Sequence, residues 1–302
     1  MLATGLKAST TNGLVTPRNG NPILTQNLAF KSAEIEELAD VYFFRPTGMV
    51  VARAARALGL TPIGVTVLGT LLGIAGGVLL YNERLGLVAF ALLIGHSIFD
   101  SADGQLARMT GRVTALGRAL DGLSGYATHI AVYVAIAAGL IHRGGHWPLI
   151  ATMFLAGICS ALHAGLYDYY RNTYIAVVVE GRIPTDAAGR MPGRFGRLFR
   201  SYLAVQRQLL GLHGKVEEAL AQNATEGRVA DNDRRRYREC FYSRIRGWNL
   251  LGDNTRFYAV GILAGLHRID LFFLFILVPM NLAAVVLWFW QRQADQRFLA
   301  GR

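Results

Sequence analysis

The chain has 302 residues, 52% of them hydrophobic, with a mean hydropathy of +0.31 and a formal net charge of +11. That is too apolar for a soluble domain of this length, and an all-α, polytopic membrane protein is the expected class. The positive charge is then read by position, as a guide to orientation, and no nucleic-acid-binding motif accompanies it.

Residues 1–31 are polar, rich in Thr, Asn and Gly, and read as a mobile tail with no leader pattern. From Ser32 to Phe44 the pattern changes. Glu34, Glu36 and Glu37 load the first turn, and Ile35, Leu38, Ala39 and Tyr42 form an apolar stripe, as in an amphipathic helix at the membrane surface or against the protein's own cytosolic side. A second short helix is expected over Gly48 to Leu58, ended by Gly59, so that 32–60 forms a juxtamembrane unit. Thr61 and Pro62 then serve as N-cap and first helical residue.

Six spanning helices are expected across 61–302, with a basic cytosolic insertion at about 171–253. The first runs from Pro62 to Tyr81, with Gly69, Gly73 and Gly77 on one packing face. The second runs from Leu85 into the stretch DSADGQLARMTGRVTALGRALDGLSG, residues 100–125. Asp100 and Asp103 share a helix face there, and Asp121 opens the next apolar helix and can point back at them. Carboxylates at membrane depth mark a functional site by default, and converging oxygen ligands suit Mg²⁺ or Mn²⁺. Gly104 and Gly117 allow close approach of a ligand or helix, and Arg108 offers a fork that matches phosphate oxygens. Small-residue spacing at Gly117, Asp121 and Gly125 also suits plain helix packing.

The pattern Asp100-x2-Asp103-Gly104-x2-Ala107-Arg108-x8-Gly117-x3-Asp121 resembles the signature of the CDP-alcohol phosphotransferases. The resemblance implies a membrane enzyme that moves a phospho-lipid group from a CDP-linked donor, usually CDP-diacylglycerol, to an alcohol, with release of CMP. It implies a two-metal site at Asp100, Asp103 and Asp121. Thr66, Asp100, Gly104, Ala107, Arg108 and Gly117 become expected donor contacts, and a homodimer is suggested. The phrase LTPIGVT is similar to the family's entry into its first span. Thr66 has a second reading, a hydroxyl bonded back to its own helix. The family pattern ends on a fourth aspartate, its general base, where this chain has Gly125. A catalytically degenerate relative that only binds nucleotide-lipid, or a non-catalytic interaction protein, is the alternative reading.

His96 lies one turn before Asp100 and reads as a packing residue or a partner of a carboxylate. The third span, from Gly117 to Ile141, carries His129 on the face of Asp121 and Gly125, as a candidate replacement for the absent acid. The fourth span, Trp147 to Leu166, leads to Asp168, a second candidate, and Arg171. The insertion holds GRMPGRFGRLFR and DNDRRRYRECF, which suit a solvated cytosolic face or attraction to anionic lipid. Asn254–Leu266 and Leu271–Trp290 complete the spans. All but three of the 31 Lys and Arg fall on one side of this arrangement, the exceptions being Arg84, Arg143 and Arg268. Both termini and the aspartates are therefore expected in the cytosol. Cys159 and Cys240 give no disulfide framework.

Overall fold

The computed structural model describes residues 34–184, 208 and 210–301. The tail 1–31 and the run GRMPGRFGRLFR lie outside the described residues. Among the described residues the chain is all α, with two isolated β-bridges, Arg182–Arg228 and Thr225–Arg228, and no strand.

The two juxtamembrane helices expected from the sequence run together. A π turn, Asp40–Phe44, passes straight into α1 (Arg45–Ala57). Pro46 has no N–H to give, and the turn before it is correspondingly wide. Gly59, at φ 72, ends this arm. Glu36 is buried and meets Arg45 at 2.9 Å and Arg171 at 3.8 Å, which ties the arm to the fourth span.

Among the described residues five helices are long and apolar enough to cross a membrane, making this an integral membrane protein. α2 (Pro62–Leu79) is capped as expected, since Gly64 N–H donates to Thr61 Oγ1 at 3.1 Å. α3 (Gly86–Thr110) and α4 (Ala115–His142) follow, then α5 (Pro148–Tyr174), which continues through a π turn to Val179. The fifth consists of α9 (Asn281–Ala300) and its lead-in, which widens to a π turn around Pro279. The remaining apolar segment forms α8 (Asp253–Gly265), which starts after extended Gly252 and stops before His267 at φ 54. Its 13 residues rise only about 20 Å, less than the ~30 Å hydrocarbon core.

The glycine face of α2 is a packing face. A Cβ on Gly69 would meet Phe99 at 2.8 Å, one on Gly73 would collide with Thr128, and one on Gly77 would meet Ala131 at 2.7 Å. α2 therefore lies close against both α3 and α4, the two helices that carry the signature. Apolar side chains such as Leu71, Leu87, Ile130, Phe154 and Val286 face outward, as a lipid-facing surface requires.

Among the described residues of the insertion are α6 (His213–Gln222) and α7 (Asp231–Trp248), packed on the end of α9. Its core is aromatic, with Tyr237, Phe241, Trp248 and Phe298 fully buried. Within it His213 bonds Asp295 Oδ1 through Nδ1 at 2.8 Å and the Tyr237 hydroxyl through Nε2 at 3.0 Å. Gln291 donates to Asp295 Oδ1 at 3.3 Å and accepts from Trp248 Nε1 at 3.3 Å.

Candidate active site

The turn between α3 and α4 is short and doubly fastened. Gly111 adopts φ 67, a left-handed conformation that closes α3, and Arg112 N–H donates to Ala107 O at 2.9 Å. Thr114 caps α4 by accepting from Gly117 N–H at 3.0 Å. This geometry returns α4 along α3 and brings Asp121 close enough for its charge to bear on Asp100. Two carboxylates so placed repel each other unless a cation lies between them.

Asp103 is 6% exposed, and its Oδ2 accepts a 2.5 Å hydrogen bond from Thr66 Oγ1. Thr66 Oγ1 also lies 3.1 Å from Pro62 O, as in the back-bonded reading of its hydroxyl, while its shorter bond to Asp103 is a contact the sequence did not reveal. The acids whose charges bear on Asp100 are Asp121, Asp103 and Asp253. Among the described residues no lysine or arginine forms an ion pair with Asp100, Asp103 or Asp121.

Arg108 lies over the glycine beside the acids: a Cβ on Gly104 would stand 3.5 Å from its Nη1. The guanidinium is in the field of Asp103 and Glu36. Ala107 and Gly117 are half-buried at the same end, and the space around Gly122 and Gly125 is open. The opposite flank of α3 is covered by α1, where Gly48 packs on Ser101 and Gln105 donates to Arg45 O at 3.1 Å.

His96 is buried, donates from Nδ1 to Gly69 O at 3.0 Å and meets Phe257 edge-on, which makes it a packing residue. His129 donates from Nδ1 to Gly125 O at 2.9 Å and stacks on Phe257. Asp168 lies exposed on α5. At the start of α8, Asn254 bridges Glu37 and Asp40, at 2.9 and 3.1 Å. Burial pushes the Glu37 carboxyl up to about 7; the charges of Asp40 and Asp253 add to this, and the Asn254 hydrogen bond opposes it.

Residues 59–196 match the family model described as CDP-alcohol phosphatidyltransferase. Over that segment, a little under half of the chain, the protein is similar to that family. The match spans the entry to α2, the whole acid cluster and the first part of the insertion. No curated protein matches the chain directly. The activity class of a CDP-alcohol phosphatidyltransferase is phospholipid head-group transfer from a CDP-alcohol, and the family is generally dependent on a divalent metal.

The donor set here has the right chemistry for such an ion: carboxylate oxygens from two helices, with no ion-paired arginine or lysine among the described residues. The spacing is wider than a closed site, because no group of three or more His, Cys, Asp or Glu among the described residues stands close enough to hold a metal. Asp103 is drawn towards Thr66, while Asp100 and Asp121 face each other.

One acid beside the cluster has no counterpart in the sequence motif. Asp253 enters from α8, beyond the matched segment, and lies 3.5 Å from His129 Nε2 and 2.9 Å from Arg256 Nη1. A carboxylate opening an apolar helix, as Asp121 does, is the sequence signal that could have marked it. A separate cleft of about 610 Å³ lies between the end of α5 and the start of α7. Two of its arginines are committed, Arg234 to Val178 O and Arg238 to Glu34.

Proposed function

We propose that this protein transfers a phosphatidyl or similar phospho-lipid group from a CDP-linked donor, CDP-diacylglycerol, to an alcohol and releases CMP. The observation that carries this reading is the contact of Asp100 with Asp121 across a helix–turn–helix that lies inside the family match. Asp100, Asp103 and Asp121 would hold a pair of Mg²⁺ or Mn²⁺ ions. When bound, such ions supply neutralisation of the donor's pyrophosphate and polarisation of the reacting phosphorus.

The chain's own residues do the rest. Thr66 holds the Asp103 carboxylate in one rotamer through its 2.5 Å hydrogen bond. Arg108 binds a phosphate oxygen of the donor, as a fixed fork. Gly104, Ala107 and Gly117 leave room for the nucleotide against the helix backbones. The donor's acyl chains stay in the bilayer beside the outward apolar faces. The positive-inside asymmetry supports a cytosolic position for the site and both termini, where CDP-activated donors are available.

The test is CMP release from CDP-diacylglycerol in detergent micelles with Mg²⁺ or Mn²⁺. It is run across a panel of polyols, amino alcohols and sugar phosphates. Release that needs both a divalent ion and one acceptor class supports the reading. No release with any acceptor, together with no CDP- and Mn²⁺-dependent rise in melting temperature, overturns it.

A further inference from the structure

The position one turn after Asp121 is Gly125, and α4 itself therefore carries no acid there. Its backbone carbonyl has a distinct use: it accepts from His129 Nδ1 at 2.9 Å. That bond fixes the tautomer, because Nδ1 carries the proton and Nε2 keeps the lone pair. Stacking on Phe257, with ring centroids 5.2 Å apart and planes at 23°, holds the imidazole in place. Nε2 is buried and has no hydrogen-bond partner. The nearest anionic atom is Asp253 Oδ1, at 3.5 Å. Two lone pairs face each other at that distance, so the pair is one proton short of a hydrogen bond.

Asp253 is held as firmly. Arg256 is 1% exposed and donates to Asp253 Oδ1 at 2.9 Å. The same guanidinium is clamped by Ser160 Oγ, Ser160 O and Leu251 O, at 3.2, 3.1 and 3.3 Å. The Asp253 side chain is still 57% exposed, and its charge reaches Asp100. A buried, oriented, unpartnered nitrogen beside a fixed carboxylate, next to the acid cluster, is built to receive a proton.

We infer that the His129–Asp253 pair takes the proton from the acceptor alcohol, with His129 as the base and Asp253 as the residue that positions it and stabilises the imidazolium. The inference rests on the phosphotransfer reading above. In the step, the acceptor O–H breaks as its oxygen bonds the donor phosphorus. The bond from that phosphorus to the bridging oxygen breaks, and CMP leaves with the electron pair. The proton goes to His129 Nε2 and closes the gap to Asp253 as a charge-assisted hydrogen bond.

The experiment uses the full-length protein, CDP-diacylglycerol micelles, a divalent ion and the best acceptor of the panel. The variants are His129→Gln, Asp253→Asn, their double, and Asp253→Asn combined with Gly125→Asp. Each single should lower kcat about 10²-fold or more, the range of a positioned base. KM for CDP-diacylglycerol should stay within about twofold, and the double should be no worse than either single, since the two act as a unit. Gly125→Asp, placed where a new side chain meets open space, should restore most of the turnover lost in Asp253→Asn. Parental kcat in either single overturns the inference. So does a loss that Gly125→Asp fails to restore while melting temperature falls, since that marks Asp253 as structural. A parent chain without CMP release strikes the phosphotransfer reading itself, and the inference falls with it.

Discussion

Two of the polar clusters at helix junctions are built on opposite terms. In the α6–α7–α9 bundle, His213, Asp295, Tyr237, Gln291 and Trp248 are at most 1% exposed and satisfy one another. At the α3–α4 turn, Asp100 and Asp121 sit carboxyl to carboxyl, and His129 Nε2 has no hydrogen bond. A closed network of this kind holds helices in register and has no valence left for a ligand. An open one is costly to keep folded, and it has reason to exist only if something else completes it. Polarity alone does not mark an active site in this chain; unfinished polarity does.

Substitutions can break that contrast. Asp121→Asn should have the largest effect, cutting CMP release by about 10³-fold or more, the scale of removing a charge-stabilising group. Melting temperature in the absence of a divalent ion should hold or rise, because a repulsion is removed. A folded Asp121→Asn protein with parental turnover would erase the distinction between the clusters. His213→Ala should act the other way round. It leaves the Asp295 carboxylate buried without its main partner, at a cost of about 3–5 kcal/mol of stability. Denaturant unfolding measures that cost, and turnover per folded molecule should be unchanged.

Two smaller effects sharpen the picture. Thr66→Val removes the donor that fixes Asp103, and turnover should fall about tenfold with little change in stability, from loss of one charge-assisted hydrogen bond. Glu37 reports on the junction between the arm and α8. Folded, its carboxyl keeps a proton up to about 7; the ordinary value of the group, which the unfolded chain has, is 4.5. Between those values the folded state binds more protons, so this group's contribution to stability declines as pH rises and is flat above about 7. Glu37→Gln should abolish that decline and raise stability at pH 8 by on the order of 1–2 kcal/mol. Melting temperatures of parent and variant at pH 5 and pH 8 check it.

The acid cluster was legible in the sequence because all its members lie in one helix–turn–helix, where spacing along the chain is spacing in space. The Thr61 cap, the Gly59 stop and the α2 glycine face were legible for the same reason. The nearness of Asp253 to His129 was not, since α8 follows the whole insertion and packing alone brings it back against α4. The pairing of Asp295 with His213 was invisible likewise, since the two are 82 residues apart and only tertiary packing buries both. The expected segment Asn254–Leu266 agrees with α8 to within a residue at each end; it stays short of a full span because Trp248–Leu251 belongs to α7 and its terminal turn, and Gly252 breaks the path between them.

The shortness of α8 has its own consequence. Its far end is pinned to the start of α3, with Ala264 against Gly86 and Gly261 against Phe90. Measured from that anchor at about 1.5 Å per residue, its first residue falls near the height of Ser97–Asp100 on α3. Asp253 therefore stands level with Asp100, and one further turn at the start of α8 would carry it about 5.4 Å past that height.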